Sequence, residues 1–158
     1  MTPDQFLARM KKGVIAPAYL FLGAEAYGRD RCRQALVDAM LALAEREAGL
    51  AQYDLRESAL PDVVEDARSL SLFAGRRVIV VANAELALPR QRAEEEDEDS
   101  DTAAPSGTQS LDDYLKDPTP DVVLLLEAVR FDAESRVLTR DFLQRNLAQE
   151  RVVTVIAE

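Results

Sequence analysis

Ala18-Tyr19-Leu20-Phe21-Leu22-Gly23-Ala24-Glu25-Ala26-Tyr27-Gly28-Arg29-Asp30 reads as an apolar pentapeptide, a loop bounded by two glycines, and the entry to a helical pattern. Pro17 and Gly23 flank the pentapeptide, which has the form of a strand buried on both faces of a parallel sheet. Beyond the loop, Cys32, Ala35, Leu36, Ala39, Met40 and Leu43 recur at helical spacing, which predicts a helix from about Arg29 to Glu47. The same alternation of apolar run and helical stripe continues along the chain in both directions.

Upstream, Thr2-Pro3-Asp4-Gln5 carries the signs of a helix start: Thr2 as N-cap, Pro3 in the first turn and Gln5 closing a capping box, with Gly13 able to end the helix. Downstream, Gln52 to Arg56 is a weak strand suited to a sheet edge. Ser58 and Pro61 introduce a helix with its apolar stripe at Leu60, Val63, Val64, Ala67 and Leu70. Arg77 to Ala82 is a second buried strand, Leu111 to Lys116 a short helix, and Val122 to Leu126 a third buried strand. Val137 to Leu147 predicts a helix and Val152 to Ile156 a last strand. Continuous apolar strands separated by helices predict an α/β fold, a three-layer doubly wound parallel sheet of about five strands. Its 158 residues suit a single domain.

Composition narrows the chemistry. With no histidine and one cysteine, His-dependent catalysis, an internal disulfide and most zinc sites are excluded. Cys32 lies on the apolar stripe of its helix and reads as a core residue. No apolar run approaches the roughly 20 residues of a membrane helix, so no membrane association is expected and the chain reads as cytoplasmic. The net charge is −10, of which Glu94, Glu95, Glu96, Asp97, Glu98, Asp99 and Asp101 supply seven negative charges. There is no basic field of the kind that carries nucleic-acid binding. Residues 90–109 are acidic and then rich in Ser, Thr, Pro and Gly, and they predict a mobile loop, since they bury too little to offset their ordering entropy.

The glycine loop matches the phosphate-loop spacing G-x-x-x-x-G-K-[ST] without its chemistry. Arg29 stands where a lysine should reach the β- and γ-phosphates. Asp30 stands where a hydroxyl should hold magnesium, and Glu25 adds a carboxylate to the cradle. The second strand ends in Ala82-Asn83-Ala84, with no acid to hold a metal, and the third ends in Glu127, an acid with no partner in its vicinity along the sequence. Two carboxylates in an anion-binding nest repel a triphosphate. Gly23, Gly28, Arg29 and Asp30 are therefore a degenerate phosphate loop not expected to bind nucleotide. Neither a cofactor, a metal site nor a catalytic residue is expected.

Ser69-Leu70-Ser71-Leu72-Phe73-Ala74-Gly75-Arg76-Arg77 can be read in two ways. If the Leu60 helix continues to Gly75, about 100° per residue turns Leu72 and Phe73 away from its core stripe, as a protein-docking plug would be. If the helix ends at Leu70, both residues tuck inward as the next strand begins.

The order of elements, the degenerate loop in AYLFLGAEAYGRDR, the S-L-F-A-x-R-R stretch before an apolar strand, and DPTPDVVLLLEA together resemble one family. It is the N-terminal AAA+-like domain, of the P-loop NTPase class, of the delta subunit of the bacterial DNA polymerase III clamp loader. The resemblance implies a domain that does not hydrolyse ATP although it serves a DNA-directed DNA polymerase holoenzyme. It implies binding to the sliding clamp (the beta subunit) and opening of one clamp interface. A Leu-Phe element that maps onto Leu72 and Phe73 would do this, with Ser71, Ala74, Arg76 and Arg77 as rim contacts. It further implies other loader subunits as partners through C-terminal domains beyond this chain, and DNA as a partner only within the assembled loader. The acidic segment is not part of the family pattern. Two competing readings are a divergent P-loop nucleotidase using Arg29 and Glu127, and an α/β regulatory domain related to neither.

Overall fold

Along the first strand, β1 (Ala18–Leu22), successive side chains point to opposite faces of the sheet, and all five residues are buried. A strand covered on both sides needs a layer of helices above and below. The computed structural model, which describes residues 1–69, 75–86, 107–129 and 153–156, has that arrangement. The described elements are α1 (Pro3–Lys11), β1, α2 (Ala26–Met40), α3 (Arg46–Gly49), β2 (Leu50–Asp54), α4 (Leu60–Arg68), β3 (Arg77–Ala82), α5 (Gly107–Lys116), β4 (Val122–Ala128) and β5 (Val153–Ile156). The predicted helix at 137–147 and the acidic stretch up to residue 106 lie outside the described residues.

The five strands are all parallel, in the order β2-β3-β4-β1-β5. From β1 the chain crosses past β4 and β3 to the edge strand β2, then steps back through β3 to β4. Crossovers of one hand that travel in opposite directions must lie on opposite faces. The two cores obey this. Phe6 and Met10 of α1 and Cys32, Leu36 and Met40 of α2 pack with Tyr19, Phe21, Val78 and Val80 on one face. Leu60, Val63, Val64 and Ala67 of α4 and Leu111, Tyr114 and Leu115 of α5 pack with Leu20, Ile79, Leu124 and Leu126 on the other. The expected three-layer doubly wound sheet is present.

Local chemistry sets the helix ends. The Thr2–Gln5 capping box closes in both directions, at 3.3 and 3.0 Å, and Gly13 leaves α1 at φ 72°. The second helix is displaced from its expected bounds. It starts at Ala26 because Glu25 caps it, and it stops at Met40 because Leu41 turns extended (φ −126°) to become buried. A new turn then begins at Ala42, whose N–H is accepted by Glu45 at 3.1 Å, and Arg46 pairs back to Asp38. Leu43, expected on the core stripe, is consequently 81% exposed. Ala59, not Ser58, stands at the N-cap of α4. The helix expected at Leu111 begins at Gly107, inside the segment expected to be a loop.

Phe6 is fully buried and meets Tyr19 and Phe21 edge-on, with ring centroids 5.1 and 5.3 Å away, so it holds α1 to β1. Phe6→Ala is expected to cost about 3–5 kcal/mol. The melting temperature should fall by on the order of 10 °C in a thermal scan.

Candidate functional site

In open α/β sheets ligands bind outside the carboxyl ends of the strands, where the strand order reverses. Here that point lies between β1 and β4, where Phe21 pairs with Glu127 and Leu22 with Ala128. Gly23 turns away from β1 at φ 115°, and its N–H donates to the Ala128 carbonyl at 3.2 Å. Gly28, expected in the loop, lies inside α2 instead.

The amides at the start of α2 are already occupied. The Glu25 carboxylate accepts the Tyr27 N–H at 2.9 Å and the Gly28 N–H at 2.5 Å. A β-carbon on residue 28 would collide with that carboxylate, so the second glycine makes room for a side chain of the protein itself. Backbone N–H groups at a helix N-terminus are what a bound phosphate requires, and here an internal anion holds two of them.

The remaining charges of the loop are tied to one another. Arg29 folds back so that its Nε donates to the Glu25 carbonyl at 3.4 Å. Arg33, which the sequence pattern did not single out, pairs with Asp30 and reaches across to Glu127. Glu127, expected to have no partner, therefore has one: Arg33 Nη1 donates to Oε2 at 3.3 Å and lies 3.2 Å from Oε1. Glu127 is 94% buried, and burial pushes its carboxyl up, with Arg33 and Arg29 pulling against that rise. Cys32 is a core residue as expected. Its thiol lies 3.8 Å from the Pro3 carbonyl and is pushed up to about 11, chiefly by burial, so it is not a reactive thiolate. Among the described residues no cluster of three or more His, Cys, Asp or Glu could hold a metal.

At the opposite end of the sheet, α4 stops at Arg68. Ser69 turns extended (φ −72°, ψ 137°), and its Oγ donates to the Glu65 carbonyl at 3.1 Å. The helix thus does not run regularly to Gly75, and helical spacing cannot be carried through Ser69 to orient Leu72 and Phe73. Ser71, Leu72, Phe73 and Ala74 lie outside the described residues. Of the two flanking arginines, Arg76 is exposed and Arg77 is turned inward. Arg77 donates to the Asp66 carbonyl at 2.9 Å and to both Asp66 carboxylate oxygens at 3.1 Å. The Tyr53 hydroxyl donates to the same carboxylate at 2.5 Å. One carboxylate thereby ties the end of α4 to the starts of β3 and to β2.

The sequence profile of the DNA polymerase III delta subunit matches residues 19–154. The chain belongs to that family. In structure it resembles the DNA clamp loader delta protein YqeN of Bacillus subtilis, with a TM-score of 0.72 and 19% identity, over 99% of this chain and 42% of that one. It also resembles a DNA polymerase III gamma subunit-related protein of Thermotoga maritima, with a TM-score of 0.55 and 10% identity, over 100% of this chain and 46% of that one. These likenesses concern the fold. The chain spans less than half the length of either protein. No curated protein matches the sequence significantly.

Two outcomes follow from the geometry. Burial raises the Asp66 carboxyl, but the Tyr53 hydroxyl and the Arg77 guanidinium outweigh it and hold it below the usual range. A depressed acid stabilises the fold above its unfolded value, near pH 3.9, and loses that contribution as pH falls through the folded value. Asp66→Asn should cost about 1.5–3 kcal/mol near neutrality. The gap to the parent protein should close below about pH 4 in parallel thermal melts. Isothermal titration with ATP and magnesium should show no binding, because Glu25 holds the amides and neither a lysine nor a metal-binding hydroxyl follows; saturable heat with matching thermal stabilisation would contradict this.

Proposed function

We propose that this domain binds the sliding clamp and helps to open one clamp interface, without ATP hydrolysis of its own, through Leu72 and Phe73. The observation that carries this reading is the delta-subunit match across residues 19–154, which spans the whole Ser69–Arg77 stretch. The fold offers the element a firm base. The apolar stripe of α4 is spent on the core at Leu60, Val63, Val64 and Ala67, so that stripe does not depend on Leu72 or Phe73. Arg77 and Asp66 fix the points between which residues 70–74 run. In this reading Ser71, Ala74 and Arg76 form the rim, and Arg77, paired inward, positions the segment. Other loader subunits are the further partners, and DNA is met only in the assembled loader.

Burying a Leu and a Phe at a partner is worth roughly 1.5–3 kcal/mol each, against about 8 kcal/mol for a micromolar complex. Leu72→Ala/Phe73→Ala should therefore abolish detectable clamp binding in surface plasmon resonance, since a few anchors dominate such interfaces. Its melting curve should match the parent protein. Retained binding with a loss of several kcal/mol of stability would mean that both side chains belong to the core.

A further inference from the structure

The end of the sheet opposite Gly23 and Glu127 carries an open groove of about 650 Å³. Met10, Ile15 and Pro17 line it together with Pro118, Pro120 and the first residues of β4. Its walls are fixed by the backbone. The Leu124 N–H donates to the Pro17 carbonyl at 3.0 Å, and the Arg77 N–H to the Asp121 carbonyl at 2.8 Å. The groove is thus preformed, and its prolines lack N–H groups, so its lining is unsuited to pairing with an added strand.

Its rim carries Lys11 and Arg76, both exposed, and one carboxylate, Asp121. Neither cation has an ion-pair partner among the described residues. Lys11 stands in the last turn of α1, where the helix dipole favours a cation. Arg76 ends no described helix and has no such reason to be there. On a chain of net charge −10, a groove of mixed polar and apolar lining with a cationic rim complements an acidic segment rather than a basic one. Arg76 also belongs to the Ser69–Arg77 stretch to which clamp binding has been attributed.

We propose that the groove is the second half of that interface and takes an extended, carboxylate-bearing segment of the same clamp. This rests on the reading of Leu72 and Phe73 given above. Rim charges act mainly on association rate and salt dependence, whereas buried anchors act on dissociation. The discriminating pair is therefore Lys11→Glu, on the rim, and Lys12→Glu, the same charge change on the next residue, which does not line the groove. Binding of each variant of this chain to the sliding clamp of the same organism is measured by surface plasmon resonance across a salt series, with thermal melts alongside.

The expected result is about tenfold weaker binding for Lys11→Glu, carried by a slower association and a shallower salt dependence, with an unchanged melt and near-parent binding by Lys12→Glu. Equal losses for the two variants would reduce the effect to overall charge, and parental binding by Lys11→Glu would remove the groove from the interface; either overturns the proposal. A concentration-dependent dimer in sedimentation that Lys11→Glu dissolves would give the groove to a second copy and overturn it too. If Leu72→Ala/Phe73→Ala binds normally while Lys11→Glu does not, the anchor reading fails and the groove alone is upheld.

Discussion

Most of this architecture depends on the burial of β4 on every side. It lies between β3 and β1, and all seven of its residues, Val122 to Ala128, are buried. Parallel pairing on both edges requires crossovers, and burial of both faces requires that they be helical and divided between the two sides. Phe6 and α2 close one side, and α4 and α5 close the other. The single ionisable residue that this strand buries, Glu127, stands near its carboxyl end, where Arg33 can reach it from α2. Replacing Arg33 alone would leave the buried Glu127 carboxyl without its cation, so the pair couples the strand to the helix beyond their apolar contact.

The loop after β1 keeps the glycine spacing of a phosphate-binding loop while one of its own carboxylates occupies two of its amides. A tight turn at Gly23 and close approach at Gly28 are still required, because the chain must still pass from strand to helix in a few residues. The positive end of α2 still needs an anion, and the Glu25 carboxylate provides it from within. Asp30 and Arg33 neutralise each other in the next turn. A loop capped by its own side chain has fewer donors to offer, whereas an uncapped helix start would leave those amides unsatisfied. The glycine spacing is thus compatible with a loop whose anion is its own side chain.

Strand positions were legible in the sequence because a strand buried on both faces writes an uninterrupted apolar run. Ala18–Leu22, Arg77–Ala82 and Val122–Ala128 fall within two residues of their expected bounds. The cap of α1 was legible because it is local chemistry, four residues long. The end of α2 was not, since helical periodicity continues through Leu43 while the burial of Leu41 and a new cap at Glu45 redirect the chain. Arg33 was missed because its partner lies 94 positions away, and nothing local distinguishes it from a solvated arginine. Arg77 was read as a surface contact for a related reason: the spacing of Arg76 and Arg77 does not say which one Asp66 will capture. The reading of Leu72 and Phe73 rested on the family resemblance, since helical spacing cannot be carried beyond Ser69.

The two ends of the sheet are consequently different surfaces. At the carboxyl end, cations and carboxylates are paired within the protein, and two amides at the helix start are capped. At the amino end, the Asp66 carboxylate fixes α4 and β3, while Lys11 and Arg76 have no ion-pair partner among the described residues and stand beside the groove. Charges that satisfy each other cost little to keep and attract little, whereas exposed cations left without partners steer an acidic surface toward them. Open α/β sheets take ligands at the carboxyl end, and here the Glu25 carboxylate already holds two of its amides. The exposed cations left without ion-pair partners among the described residues, Lys11 and Arg76, thus stand at the amino end, where α4 also terminates.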